Sequence, residues 1–479
     1  MSTTSSSTTG PPAATAPGTL RRPSQAGLHV GLLRSGAVAA SAVTVLTVAW
    51  LVLLALTPSS PPGADVAGQL AFVADHPGWH VADLAVVMPL ACIRDRVGHH
   101  LEVLVGDIGA RPPGSPANRR ATDHVHASLG VVGRPVTALP FVTRWWEPGP
   151  GWLEVGGSRI EVEPNPYSPA GEARGRALIV DELPDLEELA PVPNTVLVLA
   201  GELAREQVLP AVFPFLSLPE HDRIRSALHR LAPAAVVAVS DHWEPILEDP
   251  DLAFPSTTVP TSIGSTLATG DTVRLTVTGA VHTGTGVNLS VRLTEDEPRM
   301  VLCAHLDSKA TTPGAFDNAA AVATLLALTE LGYLDGLPLE LVLFNGEDHI
   351  DSCGEVAWLA ATDLAGIAGV VNVDGVGLAG QGLSLAALSC PPSLDTQLAG
   401  WLADHPGWVL AEPWLESDHA IFAMRGIPAA AITSQNVHAL LGGLAHTPAD
   451  TLDVLDLDIL DQLAADLPGL LALVADELC

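Results

Sequence analysis

The chain reads as an α/β protein whose sheet is covered on both faces, joined to a smaller β-rich segment and preceded by a long apolar stretch. Three observations predict this. From about residue 282, continuous apolar runs alternate with helix-like segments, the pattern of strands buried on both faces. Between residues 151 and 280, short β-rich runs are punctuated by Pro and Gly. Near the start, Gly36–Leu56 is almost wholly apolar.

Taken in order, residues 1–34 are expected to be a disordered tail, rich in Ser, Thr, Pro and Ala and carrying Arg21, Arg22 and Arg34. Residues 35–57 follow without a charge and are long enough to cross a bilayer, which needs ~20 residues of helix. With arginines before the run and Asp65 after it, the charge bias puts the N-terminus in the cytoplasm and the bulk of the chain outside. The expected location is therefore membrane-anchored and extracytoplasmic, or secreted if the segment is a cleaved signal peptide. A buried helix of a soluble protein is the remaining alternative.

Residues 65–148 read as the helical N-terminal part of the main domain, broken by a loop at Arg111-Pro-Pro-Gly-Ser-Pro. Residues 151–280 read as an inserted domain with strands at Ala177–Val180, Thr195–Ala200, Ala234–Val239 and Thr272–Val277, and a helical piece near Asp222–Leu231. Residues 282–479 carry strands at Met300–Ala304, Leu339–Phe344, Gly369–Val373 and Ala429–Thr433. Helices are expected at Ala319–Leu331, Glu355–Ala361 and Leu455–Val474.

Composition excludes some functions. The net charge is −32, from 22 basic and 54 acidic residues, which disfavours nucleic acid because phosphate binding needs clustered Lys and Arg. The five cysteines are scattered and lack CxxC spacing, which excludes a disulfide scaffold and a thiolate zinc knuckle.

In open α/β sheets, ligands bind at the carboxyl ends of strands. Here the expected strand ends run into His305-Leu-Asp307-Ser, Glu347-Asp348-His and Asp374-Gly. Asp317 opens a helix, and His446 sits in a loop before the last one. Singly, each has a plain explanation: Asp317 as a helix cap, the strand-end acids as turn residues, His446 as a surface or core histidine. Together they form a metal-ligand set. Two histidines and several carboxylates without a thiolate suit zinc. Five ligands exceed what one tetrahedral ion with an open position takes and suit two ions sharing a carboxylate. One ion would take His305 and Asp374, the other Asp348 and His446, with Asp317 between them. Glu347, spare beside a ligand, is the candidate base. Asp307 is placed to accept the other N–H of the His305 ring.

At these residues the sequence resembles the M28 family of zinc aminopeptidases, from about 300 to 451. The resemblance rests on His-Leu-Asp-Ser at 305–308, Gly-Ala-Phe-Asp-Asn at 314–318 and Gly-Glu-Asp-His at 346–349. It continues through Asn-Val-Asp-Gly at 372–375, Ser-Asp-His-Ala-Ile-Phe at 417–422 and His-Thr-Pro-Ala-Asp-Thr at 446–451. It implies a three-layer αβα sandwich with a mixed, mostly parallel sheet of the phosphorylase/hydrolase kind. It supports the five ligands, two zinc ions and Glu347 as general base, and brings Asp418 and Asp450 in as residues that support the ligands. The 111–118 run looks like the family's N-terminal helix-loop, and 151–280 like the protease-associated insert of some members. Two positions depart from the pattern: Asp348 stands where the family usually has Glu, and Ala445 where some members have a Tyr.

The implied function is metal-dependent exopeptidase action on a peptide or aminoacyl substrate, most simply removal of an N-terminal residue. Two alternatives stand beside it: a single-zinc glutaminyl cyclase on the same fold, and a non-catalytic, membrane-anchored binding protein.

Overall fold

The computed structural model describes residues 81–436 and 443–479. The expected tail at 1–34 and the anchor or signal segment at 35–57 lie outside these residues, and among the described residues no helix is long and apolar enough to cross a membrane. From Pro89 onward the chain is one compact unit.

Helix α1 (Val81–Leu101) and helix α2 (Pro116–Gly130) come first. Ser115 caps α2 by accepting from the Asn118 N–H, and Pro116 occupies its first turn. Two long strands, β1 (Val136–Val155) and β7 (Thr272–Arg292), pair antiparallel along most of their length. Between them lie β2 (Ser158–Val162), β3 (Gly171–Val180), α3 (Leu183–Glu188), β4 (Thr195–Leu199), α4 (Pro219–Leu231), β5 (Ala235–Val239) and β6 (Ser256–Val259). The second half follows with β8 (Arg299–His305), α5 (Ala320–Glu330), β9 (Leu339–Phe344), α6 (Cys353–Ala361) and β10 (Ile367–Val373). It ends with β11 (Leu383–Leu388), α7 (Pro392–Asp404), β12 (Trp408–Leu410), β13 (Ala429–Ser434) and α8 (Leu457–Leu478).

Among the described residues all thirteen strands belong to one mixed sheet, ordered β12-β11-β13-β10-β8-β9-β7-β3-β4-β5-β6, with β1 pairing β7 and β2 pairing β1. Strands β13, β10, β8 and β9 run parallel, as do β3 to β6. Alternate residues of one strand enter different cores, so both faces are covered. In β8, Leu302 and Ala304 join a core with α2, α5, α7 and α8, while Val301 and Cys303 join one with Trp358 of α6 and Phe422. In β4, Leu197 and Leu199 pack on α3 and α4, while Val196 and Val198 face Leu153, Val273 and Leu275.

The structure corrects the sequence reading in two places. Residues 136–145 are strand, not helix, and β7 continues beyond Val277 to Arg292. Along this ribbon parts of both strands face solvent, with Val142 76% and Val281 43% exposed, so no burial pattern marks it in the sequence. The 151–280 segment is itself α/β rather than β-rich, because α3 and α4 cover β3 to β5. Its expected boundaries fall inside the continuous strands β1 and β7.

α1 and α2 meet through His100, whose Nδ1 lies 3.0 Å from Nε2 of His124. Its Nε2 lies 3.3 Å from Glu330 of α5. Burial, with repulsion from His100 and His99, pushes His124 down to about 4. An unfolded histidine titrates near ~6.5, so the unfolded chain takes up this proton first as pH falls. The stability this neutral ring allows is present above about pH 6.5 and is lost as pH falls toward 4. Urea unfolding at pH 7 and pH 4.5 (roughly the two sides of this window) should show His124→Gln losing less stability between them than the parent; equal losses would contradict the assignment.

Candidate metal centre

Parallel pairing of β8 with β9 and β10 sets His305 opposite Phe344, and Cys303 opposite Asn372. The chain therefore leaves adjacent strands at one edge, carrying His305, Glu347-Asp348 and Asp374 into the same space. Asp317 and His446 arrive on loops. His305 Nε2 lies 3.0 Å from Asp317 Oδ1 and 3.3 Å from Asp374 Oδ1. His446 Nε2 lies 2.8 Å from Asp348 Oδ1 and 3.3 Å from Asp317 Oδ2. The five expected ligands thus converge, and the two oxygens of Asp317 face different imidazoles.

Asp317 is not a helix cap. The N-cap position of α5 is Ala319, two residues beyond Asp317, and no side chain caps that helix. Glu347 Oε2 lies 3.8 Å from His305 Nε2, and its side chain is 18% exposed against 2% for Asp348. The shorter Asp348 still reaches His446. Ala445 is fully buried and packs with Phe316 and Leu378. Tyr167 serves elsewhere, its hydroxyl 2.9 Å from His349 Nε2.

Supporting residues differ from expectation in detail. Asp307 Oδ1 is 3.7 Å from His305 Nδ1, beyond hydrogen-bond reach. Its oxygens instead accept the backbone N–H groups of Gly346 (2.7 Å) and Asp348 (3.2 Å), so it holds the loop carrying Glu347 and Asp348. Asp450 accepts the N–H groups of Phe316 (2.7 Å) and Asp317 (3.1 Å) and fixes the backbone of the shared carboxylate. Asp418 is buried with neither oxygen hydrogen-bonded, next to Ser417. Ser417 donates to Asp374 Oδ2 at 2.5 Å and accepts from Asn372 at 2.8 Å.

Three residues escaped the sequence reading. Arg111 is fully buried and donates to the carbonyls of Leu306, Pro313 and Gly314, tying the His305 loop to the Asp317 loop. Glu244 accepts from His446 Nδ1 at 2.9 Å, and Lys309, the only lysine, meets Glu248 at 3.2 Å. Arg111 stood in a recognised loop but was given no role there, and nothing near 244 carries a metal-like spacing.

The electrostatics are those of an acid cluster that demands positive charge. Burial pulls the His305 and His446 rings down. The carboxylates outweigh it and hold both well above the ordinary imidazole range: Asp374, Glu347, Asp307 and Asp317 for His305, and Asp348, Asp317 and Glu244 for His446. Burial, with Asp348 and Asp374 nearby, drives the Glu347 carboxyl well up. Burial and the neighbouring Asp317 push Asp450 to about 7.

The donors fit a metal. Both ring nitrogens of His305 are buried without a hydrogen bond although carboxylates lie close to them, and Oδ2 of Asp348 is likewise buried without one. Short contact without hydrogen-bond geometry is what ligands of a common ion show. Donor atoms of His305, Asp317 and Asp348 all lie within 4.8 Å of one another. A second metal-capable group, His349, Asp351 and Cys353, is engaged otherwise: His349 lies 2.6 Å from the Arg144 carbonyl and 2.6 Å from Asp351.

Because Arg111 satisfies three loop carbonyls at once, Arg111→Ala should cost roughly 3 kcal/mol or more of unfolding free energy. Denaturant titration reads this directly, and a loss under about 1 kcal/mol would remove Arg111 from its bracing role.

The sequence model of peptidase family M28 matches residues 288–467. The structure is similar to an aminopeptidase from Aneurinibacillus sp. strain AM-1, with 20% identity, 81% of this chain and 93% of that one covered, and a TM-score of 0.63. A zinc aminopeptidase from Bacillus subtilis is similar at 16% identity, 80% and 95% coverage and a TM-score of 0.60. An M28 peptidase precursor from Shewanella amazonensis is similar at 16% identity, 81% and 97% coverage and a TM-score of 0.58. No curated protein matches the chain in sequence. These structural likenesses show the shared fold, and residues 288–467 are similar to the model of peptidase family M28.

Proposed function

We propose that the chain is an aminopeptidase that uses two zinc ions, with Glu347 as general base. The observation that carries this is Asp317, whose two oxygens face His305 and His446 separately. His305 and Asp374 would hold one ion, His446 and Asp348 the other, and Asp317 would bridge. Zinc held there supplies Lewis acidity, polarising a carbonyl and lowering the pKa of a water to about 7.

The protein's own groups do the rest. Glu347 lies 3.8 Å from His305 Nε2, farther than Asp317 or Asp374 does, and it is the more exposed of the adjacent pair. It takes the proton of the attacking water and passes it to the leaving amine. Its raised carboxyl, driven by burial and by Asp348 and Asp374, suits a base that must also act as an acid. Ser417, itself held by Asn372, donates to the Asp374 carboxylate, and Asp450 fixes the backbone that carries Asp317. The aminopeptidase preference is supported by the similar structures from Aneurinibacillus and Bacillus subtilis, which bear that description.

Glu347→Gln should retain zinc and lose turnover on aminoacyl substrates by about 100-fold or more, since general-base catalysis contributes ~10²–10⁴. A variant as active as the parent would remove Glu347 from this role. Chelation should abolish activity, with zinc restoring it, and elemental analysis should find two zinc ions per chain. One ion per chain would favour the cyclase reading, and an enzyme indifferent to chelators would rule out this site.

A further inference from the structure

We propose that Glu244, from the segment inserted between β1 and β7, is a positioning residue of the metal centre: it fixes the ring of His446 so that Nε2 faces the metal. The inference rests on the two-zinc reading above and goes beyond it, because Glu244 lies outside the 288–467 match.

Glu244 Oε1 stands 2.9 Å from His446 Nδ1, while Nε2 of the same ring points at Asp348 (2.8 Å) and Asp317 (3.3 Å). A carboxylate accepting from Nδ1–H puts the proton on that nitrogen and leaves the Nε2 lone pair for a metal. His446 needs such a hold. Its backbone sits at φ 59°, the left-handed region that disfavours a residue with a side chain. No helix or strand carries it.

The loop bearing Glu244 is itself firmly placed. The Glu244 N–H donates to His242 Nδ1 at 3.1 Å, and the next residues, Ile246 and Leu247, are buried with Val208 and Leu203. Trp243 lies against His446 with ring centroids 5.3 Å apart. A second link, Glu248 to Lys309, joins the same loop to the turn that follows His305. The inserted segment thus grips both ends of the candidate metal centre, but only Glu244 hydrogen-bonds a ligand. This contrast separates positioning from mere anchoring.

The test uses the full chain and zinc alone as probe, with affinities measured by chelator competition. In Glu244→Ala, the affinity for one of the two ions should fall about 10–100-fold while the other is unchanged. Glu244→Gln keeps an acceptor of the same shape but loses the charge, and should give a smaller fall of about 3–10-fold at that same ion. Glu248→Gln, which cuts the other link without touching His446, should leave both affinities within about threefold. If Glu244→Ala does not fold, the comparison of Glu244→Gln with Glu248→Gln decides alone. Unchanged affinities in the Glu244 variants, or an equal fall in Glu248→Gln, would overturn the proposal. A parent chain that binds no zinc or a single ion would overturn the two-zinc reading first, before any variant is compared.

Discussion

The parallel pairing of β8 with β9 on one side and β10 on the other is the constraint on which the rest of this molecule depends. Parallel neighbours end at the same edge of a sheet, so three separate stretches of sequence deliver their next residues to one place. That is why His305, Asp348 and Asp374 converge although the chain between the first and last spans α5, β9 and α6. The strands can hold that register because each buries its residues in two different cores, and a slip of one residue would exchange those faces.

Bringing so many acids together is costly, since a buried charge needs a partner or a proton. The structure answers with several kinds of support. Backbone N–H groups of Gly346 and Asp348 point at Asp307, and those of Phe316 and Asp317 point at Asp450. The buried Arg111 guanidinium lies among the same carboxylates and ties the loops that carry two of the ligands. What is left over falls on His305, His446 and Glu347, which hold their protons more tightly than usual. Divalent cations supply that missing positive charge in a zinc centre, which is why the donor set and the electrostatics agree.

Much of this was legible beforehand because the residues that matter combine two independent signals. Leu339–Phe344 is apolar apart from Glu340 and ends just before Glu347-Asp348, so pattern and chemistry point to the same place. The long ribbon of β1 and β7 was not legible, because its exposed faces carry no alternation and its pairing joins residues more than a hundred positions apart. The inserted segment misled in a different way. Its short strands showed clearly, but α4 reads as a brief helical piece, and nothing local tells that its parallel strands extend the main sheet. Asp307 was correctly placed near the site but its partners were not, since an acid next to a histidine on paper can prefer nearer N–H groups in space.

By itself the sequence displayed the chemistry: a set of residue types that suits a metal, a carboxylate beside them, and three of the stretches that carry them placed at strand ends. Those conclusions need only residue type and short-range spacing, which a linear chain displays. The tertiary structure decided what depends on contacts between distant segments. It placed the two oxygens of Asp317 against different histidines, buried Arg111 as a brace, and brought Glu244 across 202 positions to the ring of His446. No local pattern encodes a hydrogen bond of that span, because its partners become neighbours only when the sheet and its insert have folded.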